Sequence, residues 1–99
     1  MMMRPSEDTR KRVLSVEDKE PTARRLAKTI DADPDLDVVA CVQDVAGGLE
    51  MLRQLQPHIV LVDLGLPDGS GLDVISACTD VPWSCHAIVI SIFGDEERV

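Results

Sequence analysis

Residues Ile59-Val60-Leu61-Val62 form an apolar run with no polar interruption, and the run stops at Asp63. A short, β-branched stretch of this kind reads as a strand covered on both faces rather than as a helix. Such a strand has to sit in a sheet flanked by helices, and the rest of the chain supplies both. Val13-Leu14-Ser15-Val16, residues 36–42 and residues 87–92 are three further strand candidates. Between the first two, Ala23, Leu26, Ala27 and Ile30 fall at i, i+3, i+4 and i+7, with Pro21 where a first helical turn tolerates it. Asp44 precedes a second helical pattern on Val45, Leu49, Leu52 and Leu55 and can cap it. Gly47 and Gly48 should weaken that helix by up to about 1 kcal/mol each relative to alanine, and Pro57 ends it. Residues 65–71 are dense in turn formers and read as a loop. Leu72, Ile75 and Cys78 then give a third helical face.

The order β-α-β-α-β-α-β predicts an α/β fold, a parallel sheet with helices on its faces joined by right-handed crossovers. Ninety-nine residues allow one domain, read as residues 13–99 behind a polar leader over residues 1–12. Only Trp83 and Phe93 are aromatic, so the core must be aliphatic.

Charge excludes some functions. Ten Lys and Arg against 18 Asp and Glu leave a net charge of −8, which repels nucleic acid phosphates. Direct nucleic acid binding by this chain is not expected, and the basic stretch Arg10-Lys11-Arg12 reads as a solvated tail. Cys41, Cys78 and Cys85 are odd in number and lack CxxC spacing, which suits reduced thiols acting as small apolar fillers. Cys85 and His86 are adjacent but have no second ligand pair, a poor basis for a zinc site. No segment has the apolar length of a signal peptide core or a membrane span, so the expected location is cytoplasmic.

In an open parallel sheet, ligands bind beyond the carboxyl ends of the strands, where strand order reverses. Glu17 and Asp18 end the first apolar run, Asp63 ends the third, and Ser91 stands near the end of the fourth. A single aspartate at a strand end is most often a cap or turn former. Three acids at two matched strand ends point instead to a shared site. Their mutual repulsion calls for a cation, and a few hard oxygen donors suit Mg2+. A carboxylate beside that ion could act as a nucleophile toward phosphorus, with Ser91 stabilising the phosphoryl oxygens.

Val13-Leu14-Ser15-Val16-Glu17-Asp18 resembles the first strand and acidic pair of response regulator receiver domains. Val60-Leu61-Val62-Asp63-Leu64-Gly65-Leu66-Pro67-Asp68-Gly69-Ser70-Gly71-Leu72 is similar to the family's phosphoacceptor strand and the loop after it. Pro34-Asp35-Leu36-Asp37-Val38-Val39 resembles the branch whose members usually carry a helix-turn-helix output domain. The resemblance implies a three-layer, flavodoxin-like α/β/α fold and a phosphoacceptor module of a two-component system. It implies that Asp63 takes a phosphoryl group from a sensor histidine kinase or from small donors such as acetyl phosphate. Asp18 and Asp63 would bind Mg2+ directly, Glu17 through water, and the Gly65 carbonyl would be a further ligand. Pro67 and Gly71 would shape the loop, and Ser91 would hydrogen-bond the phosphoryl group.

The sequence departs from the family in two places. Ile92 follows Ser91 where a small residue is common. Family domains also continue through a further helix, a fifth strand and a last helix, and their phosphoryl-contacting lysine follows that strand; Lys19 and Lys28 stand too early to replace it. The expected strand order is therefore 2-1-3-4, with the fifth strand and last helices missing. An open edge and a partly bare sheet face would then invite pairing with a second copy or another partner. This leaves an alternative reading, a truncated receiver that dimerises or binds a kinase without stable phosphorylation. A turnover enzyme is not expected: phosphohydrolases with a strand-end Asp nucleophile need an acid two residues later, and Gly65 occupies that position.

Overall fold

The computed structural model describes residues 10–90. In chain order they form β1 (Lys11–Val16), α1 (Glu20–Asp31), β2 (Leu36–Val42), α2 (Val45–Leu55), β3 (Ile59–Asp63), the two-residue strands β4 (Gly65–Leu66) and β5 (Gly69–Ser70), α3 (Gly71–Asp80) and β6 (His86–Ile90). The main sheet is parallel throughout, in the order β2-β1-β3-β6. This is the flavodoxin-like order 2-1-3-4 read from the sequence, the fourth strand of the sheet being β6. Helix α1 packs on β2 and β1, whereas α2 and α3 pack against each other, α2 over β1 and β2 and α3 over β3 and β6. Strand order reverses at β1, which has β2 on one side and β3 on the other. The crevice this creates lies beyond the carboxyl ends of β1 and β3.

The core is aliphatic and lies between the sheet and the α2–α3 layer. Leu14, Val16, Val60 and Val62 project from the strands onto Val45, Leu52, Val74 and Cys78. The opposite sheet face is less well covered. Ile59 and Leu61 are only partly buried, so β3 alternates rather than being buried on both faces as its unbroken apolar run suggests. On the adjoining strand Ile88 is 50% exposed. Helix α1 has no fully buried residue, although Ala23, Leu26, Ala27 and Ile30 do form its inner side.

Three local readings change. In α3 the inward residues are Gly71, Val74 and Cys78, while Leu72 is 60% exposed. The i, i+3 spacing of Leu72, Ile75 and Cys78 is real, but the helix leaves the preceding segment turned so that the small Gly71 faces β3. In α2, Gly48 is buried against Val16, where a Cβ would lie 3.2 Å from Cγ2. The glycine that lowers helix propensity therefore lets the helix approach the sheet. The segment 65–71 is a small antiparallel hairpin leading directly into α3, rather than a featureless loop.

Arg12 is not part of a solvated tail. From β1 its Nε donates to the Leu55 carbonyl at 3.2 Å and its Nη2 to the Gln56 carbonyl at 2.7 Å. A cation thus closes the C-terminal end of α2, where carbonyls lack intrahelical partners and the helix dipole is negative. The Arg12 amide donates to His58 Nδ1 at 2.9 Å, which places the proton of the neutral ring on Nε2. Trp83 completes this lower rim by donating from Nε1 to the Pro57 carbonyl at 2.8 Å. Among the described residues, no helix is long and apolar enough to cross a membrane.

Candidate functional site

Parallel pairing of Val16 with Val62 sets the residues after β1 beside the last residue of β3. Glu17, Asp18 and Asp63 therefore meet at one rim, and one carboxylate oxygen of each lies within 4.8 Å of the other two. Side chains far apart in sequence converge because two strands end level with each other.

Glu17 is 1% exposed. Its amide donates to the Val42 carbonyl at 2.9 Å, which continues the pairing of β1 with β2, and its Oε2 accepts from the Lys19 amide at 3.0 Å. The other oxygen, Oε1, is buried with no hydrogen-bond partner, as is Asp18 Oδ1. Burial pushes the Glu17 carboxyl above its ordinary range; the charges of Asp63 and Asp18 add to this, while the Lys19 amide and ammonium oppose it. At an effective dielectric near 20, two carboxylates at about 4–5 Å repel by roughly 3–4 kcal/mol. Buried acceptors without donors and uncompensated negative charge are the features a divalent cation would resolve. Three hard oxygen donors, two of them already stripped of water, fit Mg2+.

The segment after Asp63 is held firmly. Gly71 is buried and its amide donates to the Leu64 carbonyl at 2.9 Å. A Cβ on Gly71 would stand 2.3 Å from the Asp63 carbonyl oxygen and 2.9 Å from Val62 Cγ2. Only glycine lets the start of α3 lie this close to β3. Gly69, at φ 153°, adopts a backbone conformation that side chains disfavour. Ser70 caps α3, its Oγ accepting from the Leu72 amide at 3.1 Å.

Asp68 was not singled out by sequence reasoning, yet it ties this loop to α2. Its two carboxylate oxygens accept from the amides of Val45 at 2.7 Å and Ala46 at 3.0 Å. Asp44 caps the same helix end, accepting from the Gly47 amide at 2.7 Å. The two amide donors hold the Asp68 carboxyl below its ordinary range. A Pro-Asp-Gly turn was legible as a turn; a cap reaching across 23 positions was not. Of the other expected site residues, Gly65 is exposed in β4, with nothing within 4 Å of a Cβ position, and Pro67 lies exposed in the hairpin turn. Ser91 and Ile92 lie outside the described residues.

Comparison with known proteins agrees with this geometry. The family model of the response regulator receiver domain matches residues 13–99. The photosynthetic apparatus regulatory protein RegA of Cereibacter sphaeroides is 34% identical over 82 residues, covering 83% of this chain and 44% of that protein. The DNA-binding transcriptional activator DevR/DosR of Mycobacterium tuberculosis is 34% identical over 88 residues, covering 89% of this chain and 41% of the relative. This chain thus spans less than half the length of either. Among solved structures, the response regulator domain of Thermotoga maritima CheB superposes with a TM-score of 0.74 at 25% identity, covering 81% of this chain and 59% of that one. With its parallel 2-1-3-4 sheet, its acidic rim and the matched family model, the chain belongs to the response regulator receiver domain family.

Proposed function

We propose that this chain is the phosphoacceptor module of a two-component system, with Asp63 as the residue that takes the phosphoryl group from a sensor histidine kinase. The observation that carries this reading is the convergence of Glu17, Asp18 and Asp63, with buried oxygens of the first two lacking any donor. Glu17, Asp18 and Asp63 would hold Mg2+, helped by the Gly65 carbonyl. The bound ion would cancel the repulsion among the carboxylates and draw charge from the phosphoryl oxygens.

The chain's own part is positioning. Asp63 sits on a strand end fixed by β1, and Gly71 keeps α3 close beneath it. Its carboxylate oxygen attacks the phosphorus of a phosphohistidine: the O–P bond forms as the N–P bond breaks, and the imidazole leaves with the bonding pair. Ser91 would donate a hydrogen bond to a phosphoryl oxygen. The module is regulatory rather than a turnover enzyme. On this reading it acts in the cytoplasm and controls transcription through an output domain; of the relatives, DevR/DosR is named a DNA-binding transcriptional activator.

A second reading, a kinase-binding or dimerising module without stable phosphorylation, draws on Ile88 and Val89, which are 50% and 45% exposed on β6. One experiment separates the two. Incubation with acetyl phosphate and Mg2+ should add about 80 Da to the intact mass, the mass of one phosphoryl group. The gain should require Mg2+ and vanish in Asp63→Asn. A wild-type protein that gains no mass favours the binding module, and undiminished labelling of Asp63→Asn refutes the assignment of the acceptor.

A further inference from the structure

At the amino-terminal rim of the sheet, the end away from the three carboxylates, a cavity of about 190 Å3 is lined by Lys11, His58, Ile59, Ser84 and His86. One water molecule takes roughly 30 Å3, so the cavity has room for a polyatomic ion. Strand register brings these residues together. Ile59 pairs with Val13 on one side and with His86 on the other, and Lys11 begins β1 two positions before Val13. Main-chain bonds fix the frame. The Lys11 amide donates to the Asp35 carbonyl at 2.9 Å, the His58 amide to the Arg12 carbonyl at 2.9 Å and the His86 amide to the His58 carbonyl at 2.8 Å. Ser84 follows Trp83, whose ring is held by the Pro57 carbonyl.

We propose that Lys11, His58, Ser84 and His86 form a binding site for a phosphate-class oxyanion, separate from the acidic rim. Its polar lining consists of donors. Lys11 brings an ammonium, Ser84 a hydroxyl and His86 a ring that can donate. His58 accepts the Arg12 amide through Nδ1, so its neutral ring keeps the N–H on Nε2 as its donor. The sign of the lining is the second support. Glu17 and Glu20 line the groove beside α1, and Asp80 lines that between α2 and α3, whereas no carboxylate lines this cavity. In a chain of net charge −8 that is a local reversal. Lys11 enters none of the ion pairs formed among the described residues, and Asp37 on β2 is paired with Arg10 at 3.9 Å. Burial, and then the charges of Arg12 and Lys11, hold His58 below its ordinary value, which marks the same positive field.

The donors come from three neighbouring segments of chain, which suits a tetrahedral ion with oxygens on every side better than a planar carboxylate. A cation and neutral donors together favour an ionised oxygen ligand, since charge-assisted hydrogen bonds are the stronger kind. The frame is tied by main-chain bonds before any ligand arrives, so binding orders little beyond the Lys11 side chain. A nucleic acid is a poor occupant, because the negative charge of the whole chain repels a polyanion. A single phosphate group escapes most of that repulsion. Inorganic phosphate and the head of a phosphomonoester present the same oxygens to these donors.

The test follows the ring NMR resonances of His58 and His86, the chain's 2 histidines, in the full chain at about pH 7.5, above the ordinary histidine value. Sodium chloride keeps ionic strength constant, and EDTA keeps metal from the acidic rim. Inorganic phosphate and glycerol phosphate are titrated separately. Both rings should shift together and saturate with at least one probe; the tighter probe tells whether the site takes the free ion or a monoester. Lys11→Met should weaken binding about tenfold, as expected for one lost charge-assisted hydrogen bond, and Lys11→Arg should retain it. Arg24→Met removes the same charge from an exposed pair on α1 and should leave the affinity unchanged. The proposal is overturned if the shifts stay linear with both probes, or if Lys11→Met and Arg24→Met weaken binding equally, as a general charge effect would.

Discussion

Replacing Gly71 with alanine tests how tightly β3 and α3 are joined. The new Cβ would lie 2.3 Å from the Asp63 carbonyl oxygen, 3.0 Å from its carbonyl carbon and 2.9 Å from Val62 Cγ2. Ordinary carbon–oxygen contacts need roughly 1 Å more, and close packing leaves little room to supply it. Neither side yields easily. The carbonyl belongs to β3, paired on both sides, and the start of α3 is tied by the Gly71 amide to Leu64 and by the Ser70 cap. Overpacking of this kind costs about 1–3 kcal/mol, and a clash with main chain belongs at the upper end. For a domain of this size, about 3 kcal/mol lowers Tm by roughly 10–20 °C. Urea denaturation should show a lower midpoint with an unchanged slope. Gly65→Ala is the matched control, since nothing lies within 4 Å of its Cβ position. It should stay within about 0.5 kcal/mol of the parent, as surface substitutions generally do. A Gly71→Ala protein as stable as the Gly65→Ala control would refute the close approach.

Further expectations concern the two ends of α2 and the pH response. Arg12→Met keeps the apolar stem but removes the donors to Leu55 and Gln56, and should lower stability by about 1 kcal/mol in denaturant titrations. Asp68→Ala should destabilise α2 and, by freeing the acceptor loop, slow labelling of Asp63 by acetyl phosphate, followed by intact mass. His58 is held below its ordinary value of 6.5, first by partial burial and then by the charges of Arg12 and Lys11. Its contribution to stability is therefore full above 6.5 and is lost as pH falls through its depressed folded value. Protonation would also remove the acceptor of the Arg12 amide, and His58→Asn should flatten this segment of the stability–pH curve. Asp68, held below its ordinary 3.8, adds a second loss in more acidic solution, as pH falls through its own depressed value.

Much of the fold was legible because strands and helices have different periods. The unbroken run ending at Asp63, the helical spacing from Ala23 to Ile30 and the Asp44 cap all lie where the pattern places them. The acidic rim was legible because carboxylates at the ends of strands one and three become neighbours once the sheet is parallel with strand one central. What stayed hidden depends on contacts between distant segments. Leu72 was expected inside, but the hairpin before α3 turns the helix so that Gly71 faces the sheet. Arg12 was read as solvated because nothing local shows that the end of α2 returns beside β1. Asp68 was read as a turn former because its amide partners belong to another helix. Gly48 scored as a weak point by propensity, whereas packing against Val16 is what makes its small size useful.

If the carboxylates of Glu17, Asp18 and Asp63, from two strand ends, hold a divalent cation, the folded state should be stabilised by it. The melting temperature of the protein as a function of Mg2+ at constant ionic strength tests this most directly. Binding to the folded state alone predicts a continuous rise, equivalent to about 2.7 kcal/mol at one hundred times the dissociation constant. Asp18→Asn and Asp63→Asn should each suppress the rise. A melting temperature indifferent to Mg2+ in the wild type, or an equal rise in both variants, would contradict it.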